Sequence, residues 1–281
     1  MFFLILTIAS HTLVMFAMRF TESNSGNRYA ATVFTYITCA ILSFALMEDK
    51  TMYYPGSEYL FMLGMSAFNG ICMTAGMLLC RLSMGVNGTP ISTTFNRLGV
   101  LIPTLSSILF FHEIPKAVQV VGIALAITAI VYINSGKEER KNNHIKSVKL
   151  LILIFVVGGM IDLNTKIYEI YGDVAMKGQY IFFTFVFCII VSLIVMMAKE
   201  RRFSKQDMLV GAATGVPNTF ILYFSLRAVS VLPAYIVFPA YSAGVILLVN
   251  IFNYFVFRES LSKQEKIATG LVAIALILIN I

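Results

Sequence analysis

The stretch from Leu79 to Asn134 reads LCRLSMGVNGTPISTTFNRLGVLIPTLSSILFFHEIPKAVQVVGIALAITAIVYIN. It contains two long apolar segments, separated by a short polar corner at 111–116. A related pattern returns 146 positions later, at the end of the chain, without a gap. The aligned pairs are Arg81 and Arg227, Phe111 and Phe257, Glu113 and Glu259, Ile133 and Ile279, and Asn134 and Asn280. An internal repeat on this scale predicts a chain built from two related halves.

The composition indicates that much of the chain is surrounded by an apolar medium rather than by water. Of 281 residues, 58% are hydrophobic and 12% are charged, which is about half the charged share of an ordinary soluble domain. Apolar runs of about 20 residues, the length that crosses a bilayer as a helix, recur along the chain. We therefore expect an all-α, multi-pass protein of the inner or plasma membrane. The net charge of +7 belongs to short loops, so we expect the lipid bilayer as a partner and no nucleic acid.

Ten transmembrane helices are predicted, with a polar linker in the middle. The linker, 135–147, reads SGKEERKNNHIKS and separates a first five-helix repeat, 1–134, from a second, 148–281. The predicted spans are 2–19, 30–47, 59–80, 89–111, 116–134, 148–168, 178–198, 208–227, 232–257 and 263–281.

The number of spans in each half predicts the symmetry. Because five is odd, the second half enters the membrane from the opposite side, which gives an inverted-topology repeat. A second set of matches, at an offset of 149, relates the second span to the seventh and includes Thr35 with Thr184 and Cys39 with Cys188. Inverted repeats favour a binding site near the midplane and alternating access.

Lys and Arg residues are concentrated in the connections after the odd-numbered spans, including the central linker. The positive-inside rule then places the linker in the cytoplasm and both termini outside.

The order of these features resembles the drug/metabolite transporter superfamily, EamA-type. The resemblance is carried by SSILFFHEIPKAVQVVGIALAITAIVYIN and NYFVFRESLSKQEKIATGLVAIALILIN, together with the ten-span plan. It implies a basket of ten helices around a central cavity, lined mainly by spans other than five and ten. It also implies secondary transport of small organic solutes. In many members of the superfamily the termini are cytoplasmic, which is the opposite of the orientation that the Lys and Arg distribution predicts here. Substrates vary widely within the superfamily, so the cargo stays open.

Arg97 is the sharpest candidate for cargo binding. It lies midway along the fourth span, beside Thr93, Thr94 and Asn96. A charge at bilayer depth costs roughly 2.5–3.5 kcal/mol or more unless it faces a cavity or a partner. A guanidinium there suits a carboxylate or phosphate of the cargo. The alternatives are a structural ion pair and a side chain that reaches the interface.

Three further side chains in the spans can titrate. Asp162 and Lys166 are four residues apart and share a helix face, which favours a mutual ion pair. Alternatively, Asp162 pairs with Arg97 or carries a coupling proton. His11 is a second candidate for proton coupling, although a lone His is also a common packing residue.

Polar side chains in other spans complete the candidate set. They are Asn69, Asn218, Tyr223, Tyr241 and Ser242. In lipid such groups need partners, either on neighbouring helices or in a cavity. Tyr241 and Ser242 adjoin Ala243, the repeat counterpart of Arg97, and are the stronger candidates for cargo contact.

Glu113 and Glu259 are predicted to be structural helix caps, at the N-termini of spans five and ten, where a carboxylate meets the positive end of the helix dipole. Those two spans are almost uniformly small and aliphatic, which favours close packing. They are predicted to be scaffold, or the interface of a homodimer if the protein is not a monomer.

No enzyme, metal or cofactor is expected. The four cysteines have no metal-site spacing, and neither HExxH, GxSxG nor a nucleotide-binding loop occurs. The predicted function is secondary transport of a small polar metabolite, amino acid or drug, as an exporter or exchanger. The alternatives are a flippase-like carrier of a lipid-linked phosphate group and an intramembrane enzyme.

Overall fold

The computed structural model describes residues 1–24, 27–87, 89–135, 147–255 and 263–279. Within these ranges the chain is helical and contains no strand. The helices are α1 (Phe2–Asn24), α2 (Arg28–Leu46), α3 (Ser57–Asn87), α4 (Thr89–Leu98), α5 (Leu101–Leu109), α6 (Ala117–Ser135), α7 (Val148–Tyr171), α8 (Lys177–Lys199), α9 (Lys205–Val229), α10 (Ala234–Phe255) and α11 (Lys263–Ile279), with a 3₁₀ turn at Val174–Met176.

Several helices are long and strongly apolar. Five helical segments among the described residues are long and apolar enough to cross a membrane: Arg28–Leu46, Ser57–Cys80, Val148–Tyr171, Val174–Lys199 and Lys205–Val229. Shorter apolar helical segments are Phe2–Ala17, Phe95–Leu109, Ala117–Tyr132, Ala234–Val249 and Lys266–Ile279. Large apolar side chains such as Leu209 and Ile194 are 73% and 62% exposed. Helix surfaces with large exposed apolar side chains are suited to contact with an apolar medium.

The fourth predicted span is divided into two helices. α4 ends at Leu98 and α5 begins at Leu101. A Cβ on Gly99 would lie 2.9 Å from both Phe155 O and Gly159 N of α7. The absence of a side chain at Gly99 therefore allows the backbone at this break to approach α7 closely.

The chain forms two compact units. Unit 1 comprises Met1–Ile8, Ala75–Leu163 and Ala228–Ile281, and unit 2 comprises Ala9–Thr74 and Asn164–Arg227. Each unit takes segments from both sides of the 135–147 linker. The division into repeats at 1–134 and 148–281 concerns sequence similarity rather than packing, and it stays a prediction.

In unit 2, α2 packs against α8 around a core that includes Tyr36, Tyr180 and Phe185. Two glycines make corresponding contacts with these helices. A Cβ on Gly70 of α3 would lie 2.7 Å from Thr184 O of α8, and a Cβ on Gly215 of α9 would lie 2.6 Å from Thr35 O of α2. Only glycine permits such close helix approach.

The thiols beside these glycines make matching hydrogen bonds. Cys188 Sγ donates to Gly70 O at 3.5 Å, and Cys39 Sγ donates to Gly215 O at 3.3 Å. Cys39 and Cys188 are also partners in the sequence alignment at offset 149. The same contact is thus made twice in unit 2, with the roles of the two sequence halves exchanged.

In unit 1, α6 packs against α11 and both contact α10. The α6–α11 interface is built from small residues, including Ala126, Ala129 and Ala275, which are fully buried. A Cβ on Gly122 would lie 2.9 Å from Ile279 N, so the two helices are in close backbone contact. The helices of spans five and ten therefore form a packed core with one another.

Candidate functional site

Three polar side chains from three helices meet in unit 1. They are Arg97 in the last turn of α4, Asp162 on α7 and Tyr241 on α10. The Tyr241 hydroxyl donates a hydrogen bond to the Asp162 carboxylate. The charges of Arg97 and Asp162 interact with each other. We call these three residues the polar cluster.

Close helix packing brings Arg97 towards Asp162. Asn96 Oδ1 lies 3.0 Å from the position of a Cβ on Gly158, and Gly99 O lies 2.5 Å from the position of a Cβ on Gly159. The two consecutive glycines of α7 provide space for α4 one helical turn before Asp162. The residue before Arg97 is thereby packed against α7.

The environment strengthens the interactions of the polar cluster. Tyr241 is 6% exposed, and the side chains of Arg97 and Asp162 are partly buried. Charges in such a setting interact more strongly than in water, and each needs a partner. A ligand with an anionic group could take the place of Asp162 beside Arg97. A ligand with a cationic or hydroxyl group could take the place of Tyr241 or Arg97 beside Asp162.

The other residues that are predicted to bind cargo near Arg97 differ in their solvent exposure. Ser242 follows Tyr241 on α10 and is 2% exposed, so it is packed in the unit 1 core. Asn96 is exposed apart from its approach to Gly158. The side chains of Thr93 and Thr94 lie outside the described residues.

The expected ion pair between Asp162 and Lys166 is replaced by two other pairings. Lys166 Nζ lies 3.2 Å from Glu169 Oε2, one helical turn further along α7. Asp162 is bonded to Tyr241 instead. An i,i+3 spacing satisfies a helix-face ion pair as well as i,i+4, and Glu169 provides it.

Asn69 belongs to a separate hydrogen-bonded chain in unit 2. Its Nδ2 donates to Tyr180 Oη at 2.8 Å, and the Tyr180 hydroxyl donates to Asn164 Oδ1 at 2.8 Å. The chain links α3, α8 and α7, as the helix-to-helix alternative predicted. Tyr180 and Asn164 are not among the predicted site residues, although a polar Asn within an apolar span is a signal that could have indicated Asn164.

Three other candidates also lie in unit 2. Asn218 Nδ2 donates to Cys39 Sγ at 3.5 Å. The Arg227 guanidinium lies over the Tyr223 ring, 4.5 Å from its centroid, which is a cation–π contact. His11 is partly buried on α1.

Glu113 is a helix cap, but on a different helix from the one predicted. Its Oε2 accepts a hydrogen bond of 2.8 Å from Ala234 N, the first residue of α10. At the start of α6, Gln119 Oε1 accepts from Lys116 N at 2.9 Å. A carboxylate can cap any helix N-terminus within its reach, and sequence neighbours do not determine which one. Glu259 lies outside the described residues.

Among the described residues, no group of three or more His, Cys, Asp and Glu side chains could hold a metal ion. The four cysteines are free thiols.

No family model matches the chain. It is 26% identical over 242 residues to an uncharacterized protein of Haemophilus influenzae, covering 83% of this chain and 81% of that protein. The structure is similar to a solved crystal structure of a protein, with a TM-score of 0.80 and 10% sequence identity over 99% of this chain and 94% of the other. At this identity the similarity establishes a shared fold alone.

Proposed function

We propose that this chain is a multi-pass membrane protein that transports a small polar organic molecule, as a secondary carrier without a cofactor. The polar cluster is the observation that carries the proposal. Arg97, Asp162 and Tyr241 lie in apolar helices, where unsatisfied polar groups are costly and are retained mainly at functional sites. Both charged groups have partners that a cargo molecule could replace.

The proposed membrane plan is ten spans in two inverted repeats, located in the inner or plasma membrane. The ten helical regions that match the predicted spans support this plan, as do the exchanged contacts of Gly70 with Thr184 and of Gly215 with Thr35. The packing of α6 against α11 also supports it, because equivalent helices of two repeats meet near a pseudo-twofold axis.

In the proposed cycle the cargo binds to the polar cluster from one side of the membrane. Its charged group replaces one existing interaction of Arg97 or Asp162, so that no charge is left without a partner in the low-dielectric interior. A conformational change of the protein then exposes the same groups to the other side of the membrane.

Ligand screening followed by transport measurement tests the proposal. We expect thermal shifts of the purified protein with a subset of amino acids, nucleosides, sugar phosphates or cationic drugs, because a ligand that binds the folded state raises its apparent stability. A radiolabelled hit should then exchange into proteoliposomes preloaded with the unlabelled compound. Exchange no faster than in protein-free liposomes, for every stabilising compound, would exclude a carrier for those compounds.

A further inference from the structure

Unit 2 contains a groove that the proposed transport site does not use. It has a volume of about 560 Å³ and lies between one face of α1 and one face of α9. The walls are apolar and carry three aromatic rings, Phe16 from α1 and Phe220 and Phe224 from α9. Among the described lining residues, Ser10 supplies the one hydroxyl-bearing side chain. The volume lies within the range of about 300–1,000 Å³ that is usual for ligand pockets.

The groove follows a single stripe of α9. The lining residues run from Ala213 to Phe224 at helical spacing, which corresponds to about 16 Å along the helix axis. The hydrocarbon of one bilayer leaflet is about 15 Å deep, half of the roughly 30 Å core. An extended acyl chain would therefore fit the groove over its full depth.

A cationic group continues the same stripe. Arg227 lies three residues beyond Phe224, is exposed, and has its guanidinium held 4.5 Å over the Tyr223 ring. Stacking on an aromatic ring restricts the orientation of a guanidinium, whose charge and planar fork suit a phosphate. Arg227 also lies near the C-terminal end of α9, where a span is expected to meet the interface.

We propose that this groove binds one acyl chain of a bilayer phospholipid, with the lipid phosphate at Arg227. The inference rests on the membrane location in the proposed function and adds a binding site to it. The apolar lining excludes a polar cargo from the groove, and its length and terminal charge match a lipid with an anionic headgroup.

The absence of tryptophan from the chain makes a sharp test possible. In Phe220→Trp, the single indole reports on the groove, and phospholipids with brominated acyl chains quench it on contact. We expect quenching in detergent micelles to saturate at a low ratio of brominated phosphatidylglycerol to protein. Ile194→Trp, on the 62% exposed face of α8, should show quenching that only rises in proportion to the lipid fraction.

Two variants test the parts of the site. Arg227→Gln should raise the ratio of phosphatidylglycerol to protein at half-saturation about fivefold, which is the effect of one basic residue near a lipid phosphate. Arg201→Gln, in the α8–α9 loop, should leave this ratio unchanged. Ala213→Leu should fill the groove and remove the saturable phase. If Ala213→Leu does not fold, Ala17→Leu fills the groove from α1 instead.

Linear quenching of Phe220→Trp would overturn the proposal. So would saturation with bromonaphthalene but not with brominated phospholipid, which would assign the groove to aromatic compounds. Both results leave the transport proposal intact if cargo exchange is retained. A purified chain that does not insert into liposomes would remove both proposals together.

Discussion

Tyr241 is the neutral member of the polar cluster, and its contribution can be isolated from the charges. Its hydroxyl donates to Asp162, and a hydrogen bond to a charged group is worth about 1.5–3 kcal/mol. If the cluster binds cargo, Tyr241→Phe should change the apparent KM for uptake by roughly tenfold or more. Tyr171→Phe, at the exposed end of α7, is the matched control and should leave KM unchanged. Equal KM values for the two variants would contradict a role for Tyr241.

Asp49 gives a pH-dependent prediction outside the spans. Hydrogen bonds from the Tyr54 hydroxyl, and then from Thr51, hold the pKa of the Asp49 carboxyl below its ordinary value. A lowered pKa in the folded state stabilises the protein above the unfolded pKa of about 4, and this contribution is lost as the pH falls through the folded value. The Tm of Asp49→Asn should therefore be lower than that of the wild type at pH 7. The difference should shrink below about pH 4, and a constant difference across this range would be inconsistent with the assignment.

At the scale of the helices, close packing through glycine is the main feature. Gly70 and Gly215 each leave no room for a Cβ, because a backbone oxygen lies within 2.7 Å of its position. We expect Gly70→Ala and Gly215→Ala each to destabilise the protein by about 1–3 kcal/mol, through forced helix separation.

Gly64, in the same helix as Gly70, is the matched control. A Cβ there would meet nothing within 4 Å, so Gly64→Ala should be neutral or stabilise by roughly 0.4–1 kcal/mol. Thermal melts of the three variants in detergent measure the comparison. Equal effects of all three would show that helix propensity, rather than packing, determines these positions.

The sequence is a good guide to helices and a weaker guide to contacts. Length and apolarity predicted a helix at each of the ten spans, because these properties are local. The break at Gly99 depends on the approach of α7, and the target of Glu113 depends on the position of Ala234. In both cases the contacting residues are far apart in the sequence, so no local sequence pattern could predict either contact.

The same limit applies to the candidate site. The sequence predicts Arg97, Asp162 and Tyr241 as site residues because polar groups in apolar spans are costly, and the structure brings these three together. That rule could not separate them from Asn69, which has the same cost but whose Nδ2 is bonded to the Tyr180 hydroxyl in unit 2. Which polar residues share a partner is a property of the tertiary structure.

At the scale of the whole molecule, the proposed ten-span plan predicts that the linker and the two termini lie on opposite sides of the membrane. Single cysteines introduced into a background without the native four should test this. Asn142→Cys in the linker and Arg201→Cys should react with a membrane-impermeant maleimide from one side. Thr51→Cys and a cysteine appended to the C-terminus should react from the other. Labelling of Asn142→Cys and the C-terminal cysteine from the same side would contradict the ten-span plan.

The most direct test of the central claim is uptake of an identified cargo into proteoliposomes by Arg97→Ala. Arg201→Gln, which also removes one positive charge but from an exposed loop, is the control and should transport at the wild-type rate. Loss of uptake in an Arg97→Ala protein that still folds and inserts is the predicted result, because the substitution leaves the cargo without a charged partner; its Tm should fall as well, because Asp162 loses its cationic neighbour. Wild-type uptake by a folded Arg97→Ala protein would contradict the assignment of the polar cluster as the transport site.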